Sequence, residues 1–343
     1  MSVRRRIHAG ATALAVALLL AVSVVAAAWA QEATPIPYTP PENVGDLSGQ
    51  ILADGSSTVG PITEAVAEEF FAIAPGVEVE VNISGTGGGF KRFCAGETDI
   101  QDASRPISEE EIEMCREAGV QYYTFEVAYD GLSIVVNPEN DFVECLTVDQ
   151  LRQLWEADSA VDSWSDLNPE WPDETIALYG PGTDSGTYDY FVEAIIGGDT
   201  STRTDYTPSE DDNALVEGVA GDDNALGFFG LAYYEQNQDR LKLVAVDGGN
   251  GCVRPSEETV RDLSYTPLSR PLYIYVNAES LTQPEVQEFM RFYLASAGEL
   301  AADVGYIASP GEIYVQDQAK LDAAIAGTGT PDGPTTADAT PAS

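Results

Sequence analysis

The sequence predicts an α/β protein of two domains with largely parallel sheets. Two observations carry this expectation. Short apolar runs alternate with amphipathic stretches through most of the chain, and segments rich in glycine and hydroxyl residues stand where a strand should give way to a helix. At roughly 100–200 residues per domain, the 343 residues suffice for two units that each bury a core.

Residues 51–53 read as a strand, followed by a Gly-Ser-Ser-Thr turn and a helix in which Ile62, Val66, Phe70 and Ile73 recur at helical spacing. Val77, Val79, Val81 and Ile83 alternate as in a strand. A glycine-rich turn at GTGGG, a short helix carrying Phe90 and Phe93, a strand through Ile100 and a Glu-rich helix near residues 108–118 come next. The rhythm continues with a strand at 132–136, a helix around 151–155, a strand at 176–179 and a helix after Ser185. The folded body is expected over 48–326. Residues 31–47 form a Pro-rich linker, and 327–343 a disordered low-complexity tail. No internal repeat of fixed period is present.

The charge balance excludes whole classes of function. Against 57 Asp and Glu stand 16 Lys and Arg, a net charge of −41. Such a body repels nucleic acid and anionic membranes, so an anionic ligand must be held by short-range hydrogen bonds. A saline habitat or a bias of lineage would each produce this composition. The single histidine, His8, lies in the leader. Without it the chain lacks a required member of Ser-His-Asp and Cys-His systems, of His-ligated zinc and of facial-triad iron.

Residues 1–30 read as a secretory signal peptide: a basic MSVRRR start, an apolar run over 11–28, and Ala28 and Ala30 flanking Trp29. Cleavage is expected before Gln31, with an uncleaved anchor as the alternative, since the run is just long enough to span a bilayer. No cysteine follows it, so lipoprotein processing is not supported. The protein is therefore expected to be exported, periplasmic or extracellular and associated with the cell envelope. Cys94, Cys115, Cys145 and Cys252 all lie in the exported part, where an even count implies disulfides. Three pairings are possible. The closeness of Cys94 and Cys115 favours one local bridge, leaving Cys145 with Cys252. Absence of any Cys-x-x-Cys argues against zinc ribbons and thioredoxin-like motifs.

Four segments share one chemical character: GSSTVG (55–60), SGTGGGF (84–90), DASRPI (102–107) and GPGTDSGTYDYF (180–191). A helix N-terminus presents unpaired N–H groups and partial positive charge, so an anion can dock there without a lysine. Hydroxyls add donors, and glycine lets the backbone approach. One such segment is an ordinary N-cap; four form a pattern. Arg105, in a chain poor in arginine, adds a planar fork of donors suited to an oxyanion. Taken alone it would read as a surface ion pair; beside three anion-type helix starts it reads as a ligand. Other motifs fail. SGTGGGF lacks the Gly-Lys-Ser/Thr end of a P-loop and the spacing of a dinucleotide fingerprint. Asp184-Ser185-Gly186-Thr187 matches the aspartic-protease tetrapeptide, but no second copy exists to share a proton. The aromatic residues of GTYDYF and the pair Tyr233, Tyr234 read as packing residues.

In this order the segments resemble the PstS family, the exported phosphate-binding proteins of ABC-type phosphate importers. The resemblance runs from ILADGSSTVGPI through SGTGGGFKRF, DIQDASRPI and GPGTDSGTYDYF to DDNALVEGVAGDDNALGFFG. It implies a two-lobed periplasmic-binding-protein-like fold of type II, with phosphate closed in the cleft between two α/β lobes. Lobe 1 would comprise 48–130 plus 268–326 and lobe 2 131–267, with crossings near 129–131 and 266–269. It implies inorganic phosphate as ligand, ABC permease subunits as partners, a monomer, no cofactor or metal, and no enzymatic activity. Carried over, the ligand set is Ser57, Thr58 and the Val59 backbone; Thr86; Ser104 and Arg105; and the Ser185 hydroxyl, the Gly186 backbone and Thr187.

Two departures matter. The best-known branch has an arginine where Pro181 stands and an aspartate where Ser104 stands. This chain is similar instead to a branch with Ser-Arg-Pro in the third motif, so Arg105 should be the one charged donor of the set. The carboxylate that accepts a phosphate proton is then expected to be Asp184, ahead of Asp102, Asp130 and Asp212. Competing readings are a binding protein for another oxyanion such as sulfate, and a secreted hydrolase or adhesin that reuses the fold.

Overall fold

The expected βα rhythm is present from the first strand onward in the computed structural model, which describes residues 37–183, 185–197 and 201–333. β1 (Gly49–Gly55), α1 (Gly60–Phe71), β2 (Val77–Asn82), α2 (Thr86–Cys94), β3 (Ile100–Ala103) and α3 (Glu109–Ala118) form the first run. β4 (Tyr122–Val136), β5 (Cys145–Thr147), α4 (Val148–Trp155), α5 (Trp164–Leu167), β6 (Ala177–Gly180) and α6 (Gly186–Phe191) follow. Next come β7 (Thr207–Pro208), α7 (Asp212–Ala220), β8 (Ala225–Gly230), α8 (Leu231–Glu235), β9 (Lys242–Asp247), β10 (Cys252–Val253) and α9 (Glu257–Arg261). β11 (Ser269–Asn277), α10 (Pro284–Asp303), β12 (Ile307–Ala308) and α11 (Gly311–Ile325) complete it.

Local chemistry explains the boundaries. α1 takes Pro61 in its first turn, where a missing N–H is harmless, and buries Ile62, Val66 and Phe70 on one face, each worth about 1.5–3 kcal/mol relative to exposure. α3 opens on a Ser108/Glu111 capping box and stops at Gly119 in the left-handed conformation. The GTGGG stretch, expected as a turn, is instead the first turn of α2. Glycines disfavour helix by about 1 kcal/mol each, but Phe90 and Phe93 bury beneath them.

The sheets are more mixed than expected. β1 pairs in parallel with β2 and β3, and β6 with β7 and β8, but β3, β11 and β4 are antiparallel neighbours. The reason lies in the route of the chain. β4 pairs with β11 over residues 122–131 and with β8 and β9 over 132–136, so it passes from one sheet region to the other while β11 runs the opposite way beside it. The strand expected at 132–136 is thus the last third of a longer one. Residues 122–131 of β4 are buried or half-buried throughout, so no period-2 alternation marks them.

Two principal cores meet along this strand. Val127 and Ala128 of β4 pack with α1, α10 and α11 in one; Tyr129 and Leu132 begin the other, which holds Trp155, Phe191 and Phe228. On the return, Leu268 belongs to the second core and Leu272 to the first.

Both ends of the described chain are tied down. Tyr38 donates to Glu288 (3.1 Å) and sits edge-on to Phe292 (5.4 Å), so this part of the expected linker packs against α10. Residues 327–333, expected to be structureless, dock on β4. Tyr123 donates to the Gly329 carbonyl (3.4 Å), Asp332 N–H to the Tyr122 carbonyl (2.9 Å), and Thr124 N–H to the Asp332 carboxylate (2.8 Å). The polar composition hid this edge pairing. The signal peptide, residues 31–36 and residues 334–343 lie outside the described residues.

The bridges are Cys94–Cys115 and Cys145–Cys252. The second joins residues 107 apart in sequence, and loop-closure entropy assigns it about 4–5 kcal/mol. Cys145→Ser with Cys252→Ser should therefore lower unfolding stability by about 2–5 kcal/mol in a denaturant titration; an unchanged midpoint would show that the reduced chain keeps the loop closed unaided.

A second prediction comes from Asp102 at the end of β3. Its Oδ1 accepts from Thr63 Oγ1 (2.9 Å), Thr63 also meets the Tyr293 hydroxyl (3.0 Å), and Oδ2 has no partner. Burial, against the Thr63 bond, pushes its pKa up to about 7. A folded value above the unfolded one of about 3.9 means that stability is fully present below about pH 4 and is lost as pH rises through about 7. Asp102→Asn should flatten this slope and raise stability at about pH 8 by on the order of 1–3 kcal/mol. Equal shifts of the unfolding midpoint at about pH 4 and about pH 8 would place the effect elsewhere.

Candidate functional site

Three chain turns and the start of β11 converge on one cavity of about 240 Å³, below the roughly 300–1,000 Å³ of pockets for drug-sized ligands. Its lining includes Ser57, Thr58, Thr86, Ser104 and Arg105 of the expected set, and Asp189, Tyr190, Glu193 and Arg270 besides.

The first turn leaves β1 at Gly55. Its φ of 141° is open to glycine alone, and a Cβ there would stand 2.1 Å from the Asp102 carbonyl oxygen. This close approach sets residues 56–58 beside the end of β3. Ser56 Oγ accepts from Thr58 N–H (3.1 Å), and Val59 turns its side chain into the core. The second turn ends at Thr86, the first residue of α2, whose hydroxyl meets Ser104 Oγ (3.1 Å) and accepts from Ser104 N–H (3.3 Å).

Arg105 lies where expected, but it is not free. Its Nη1 and Nη2 each donate to one oxygen of Glu111, both at 2.9 Å. Glu111 is 9% exposed at the side chain and Arg105 36%. Burial raises the Glu111 pKa, but the bonds from Arg105 and Ser108 outweigh it and hold the group below its usual range.

Arg270 is the residue that the sequence reading missed, so Arg105 is not the one charged donor. It stands opposite Asp130 in the β11–β4 register. Nε and Nη2 both reach Asp130 Oδ2 (3.2 Å), Nη2 donates to Thr58 Oγ1 (2.9 Å) and Nη1 to Glu193 (3.4 Å). The guanidinium carbon lies 3.5 Å from the centroid of the Tyr190 ring, a cation–π contact. Side-chain exposure is 11% for Arg270 and 3% for Asp130. Burial raises the Asp130 pKa above its usual value in spite of Arg270. A signal was available. Ser-Arg-Pro occurs twice, at 104–106 and at 269–271, and the second copy opens β11, the antiparallel neighbour of the strand that the first copy follows.

The fourth segment is only partly at the cavity. Ser185 caps α6 and accepts from Thr187 N–H (3.2 Å), so its hydroxyl is engaged by its own helix. Neither Ser185, Gly186 nor Thr187 is among the lining residues. Gly186 is instead the point of closest approach: a Cβ there would stand 2.8 Å from the Ser57 carbonyl carbon and the Thr58 nitrogen, and its carbonyl accepts from Thr58 Oγ1 (3.4 Å). Within the same segment Asp189, which the sequence reading did not single out, and Tyr190, expected as a packing residue, do line the cavity, and Ser57 Oγ donates to Asp189 (2.9 Å). Of the expected proton acceptors, Asp184 lies outside the described residues. Asp102 is bound to Thr63, and Asp130 is paired to Arg270. Asp212 is at the first turn of α7, and neither Asp102 nor Asp212 lines the cavity.

Chemically the site offers two guanidinium groups, the hydroxyls of Ser56, Ser57, Thr58, Thr86 and Ser104 and the N-termini of α1 and α2 to a small anion, with Asp189 and Glu193 in the lining and Glu111 and Asp130 behind the arginines. Among the described residues no helix is long and apolar enough to cross a membrane.

Comparison with known proteins agrees with this geometry. The model of the PBP superfamily domain matches residues 40–297. Protein SphX of Synechocystis sp. is 50% identical over 270 residues, 78% of this chain and 80% of that one. The phosphate-binding protein PstS of Staphylococcus saprophyticus is 41% identical over 281 residues, 81% of this chain and 86% of that one. The crystal structure of a possible phosphate binding protein from Planctomyces limnophilus is 48% identical, with a TM-score of 0.79 over 81% of this chain and 99% of that one. A two-lobed fold, the ordered set of hydroxyl-rich turns and identity at this level over most of the chain have one conclusion: the protein belongs to the PstS family of the PBP superfamily.

Proposed function

We propose that this chain is an exported, non-enzymatic receptor that captures inorganic phosphate in the cavity at Arg105 and Arg270 and delivers it to an ABC permease. The observation that carries the reading is the pairing of two guanidinium groups with hydroxyls and helix N-termini in a small cavity, within a chain whose net charge of −41 would otherwise repel an anion. Arginine forks match tetrahedral oxyanions bidentately. The staphylococcal relative is named a phosphate-binding protein, which supports phosphate over sulfate. The lobes are assigned as 48–130 plus 268–326 and 131–267, with crossings near 129–131 and 266–269, a division supported by the passage of β4 and of residues 268–272 from one core to the other. Ser57, Thr58, Thr86, Ser104 and Arg105 face the ligand from lobe 1, α6 closes over it from lobe 2, and Arg270 stands at the crossing. The leader directs export, and the receptor works as a monomer.

Calorimetry with phosphate and with sulfate tests this directly: tight phosphate binding with weak sulfate binding is expected, and the reverse order would end the phosphate reading. Arg105→Ala should weaken phosphate binding by about 1.5–3 kcal/mol, more than Ser57→Ala or Thr86→Ala. Arg270→Lys, which keeps a charge opposite Asp130 but loses the fork and the ring contact, should weaken it at least tenfold. Wild-type affinity in both arginine variants would move the binding site elsewhere.

Because the cavity is lined from both sides, by the turns at 56–58, 85–87 and 104–105 and by Asp189, Tyr190 and Glu193, phosphate should draw the lobes together. Small-angle scattering is expected to show a smaller radius of gyration with saturating phosphate than without. Identical curves at confirmed saturation would exclude a hinge that responds to phosphate.

A further inference from the structure

Two carboxylates at the cavity have no part in binding the charge of an anion. Asp189, in α6, accepts from Ser57 Oγ (2.9 Å), and Glu193, one turn later in the π-helical turn Val192–Ile196, accepts from Arg270 Nη1 (3.4 Å). Both line the cavity and both are exposed. The local charge makes their presence informative. Arg105 is matched by Glu111 and Arg270 by Asp130, so Asp189 and Glu193 are negative charge in excess. The N-termini of α1 and α2 offset roughly half a charge each. A doubly charged anion entering here meets two uncompensated carboxylates. An anion with one charge and two hydroxyl groups meets two acceptors, one for each proton.

We infer that Asp189 and Glu193 make this site select the singly charged, doubly protonated form of phosphate, H2PO4⁻, each carboxylate accepting one of its O–H groups. This rests on the phosphate reading above and adds the protonation state recognised. Asp189 is faced by Ser57 from the β1–α1 turn. Glu193 is faced by Arg270 from β11, with Tyr190 beside it and the charge of Arg105 across the cavity. The protein carboxyls pushed toward neutral pH are Asp102, raised to about 7 by burial, Asp317, raised to about 7 by burial, and Asp212, raised to about 6 by burial and by Asp211 and Glu210. None of the three lines the cavity, and all remain in the variants used below.

The test is calorimetry of the full chain with inorganic phosphate at about pH 6 and about pH 8.5 and constant ionic strength. The second proton of phosphate dissociates between these values, so affinity for total phosphate should be about tenfold weaker at the higher pH. In Asp189→Asn with Glu193→Gln, isosteric changes at exposed positions, the pH dependence should disappear. Sulfate, which has no proton to give, should bind the double variant about tenfold more tightly than it binds the parent. Asp184→Asn should keep the parental pH dependence. Equal or tighter binding by the parent at about pH 8.5 overturns the inference, as does a double variant that keeps the pH dependence, which would assign it to Asp102, Asp212 or Asp317. Loss of the dependence in Asp184→Asn alone overturns it in favour of Asp184. Tight phosphate binding with the wrong pH profile leaves the receptor function standing; no phosphate binding at either pH overturns both.

Discussion

The ion pair of Arg270 with Asp130 holds the site to the fold. Both residues lie in the antiparallel strands by which the chain passes between its two cores, directly opposite each other in register. From that position one guanidinium reaches Thr58 on the β1–α1 turn, and Tyr190 and Glu193 on the helix facing it. A buried pair of this kind adds little net stability, because desolvation offsets the attraction. Its value is geometric. Removing Arg270 would strand a carboxylate that is 3% exposed and would cut the contacts to Thr58, Tyr190 and Glu193.

The acidic composition makes the same arrangement necessary. With a net charge of −41 on the chain, the long-range field opposes capture of an anion. What remains is a short-range solution: arginines neutralised by carboxylates behind them, hydroxyls that rotate to donate, and helix N-termini that carry no countercharge. Glu111 and Asp130 spend much of each guanidinium's donor capacity, which preorganises the forks.

The Cys94–Cys115 bridge serves this preorganisation. It fastens the C-terminus of α2 to α3. Thr86 stands at the other end of α2, and Glu111 in the first turn of α3 holds Arg105. One covalent tie therefore braces two of the turns that line the cavity. The second bridge joins β5 to β10, both of which pair with β9, away from the cavity lining.

Local sequence determined what local physics controls. The apolar spacing of α1 and the hydroxyl-glycine turns before α1, α2 and α6 were legible because each depends on residues within one or two turns. Those turns also located half of the cavity. Tertiary structure decided the rest. β4 gave no alternation over 122–131 because it is buried on both faces, so only its last third could be read as a strand. The docking of residues 327–333 depends on an edge of β4 far away in sequence. Ser185 fits the ligand pattern as written, yet its hydroxyl caps its own helix. Arg270 is the clearest case: the repeated Ser-Arg-Pro is visible as letters, but only the antiparallel pairing of β3 with β11 brings its two copies to one cavity, because contact across a sheet depends on register and not on distance along the chain.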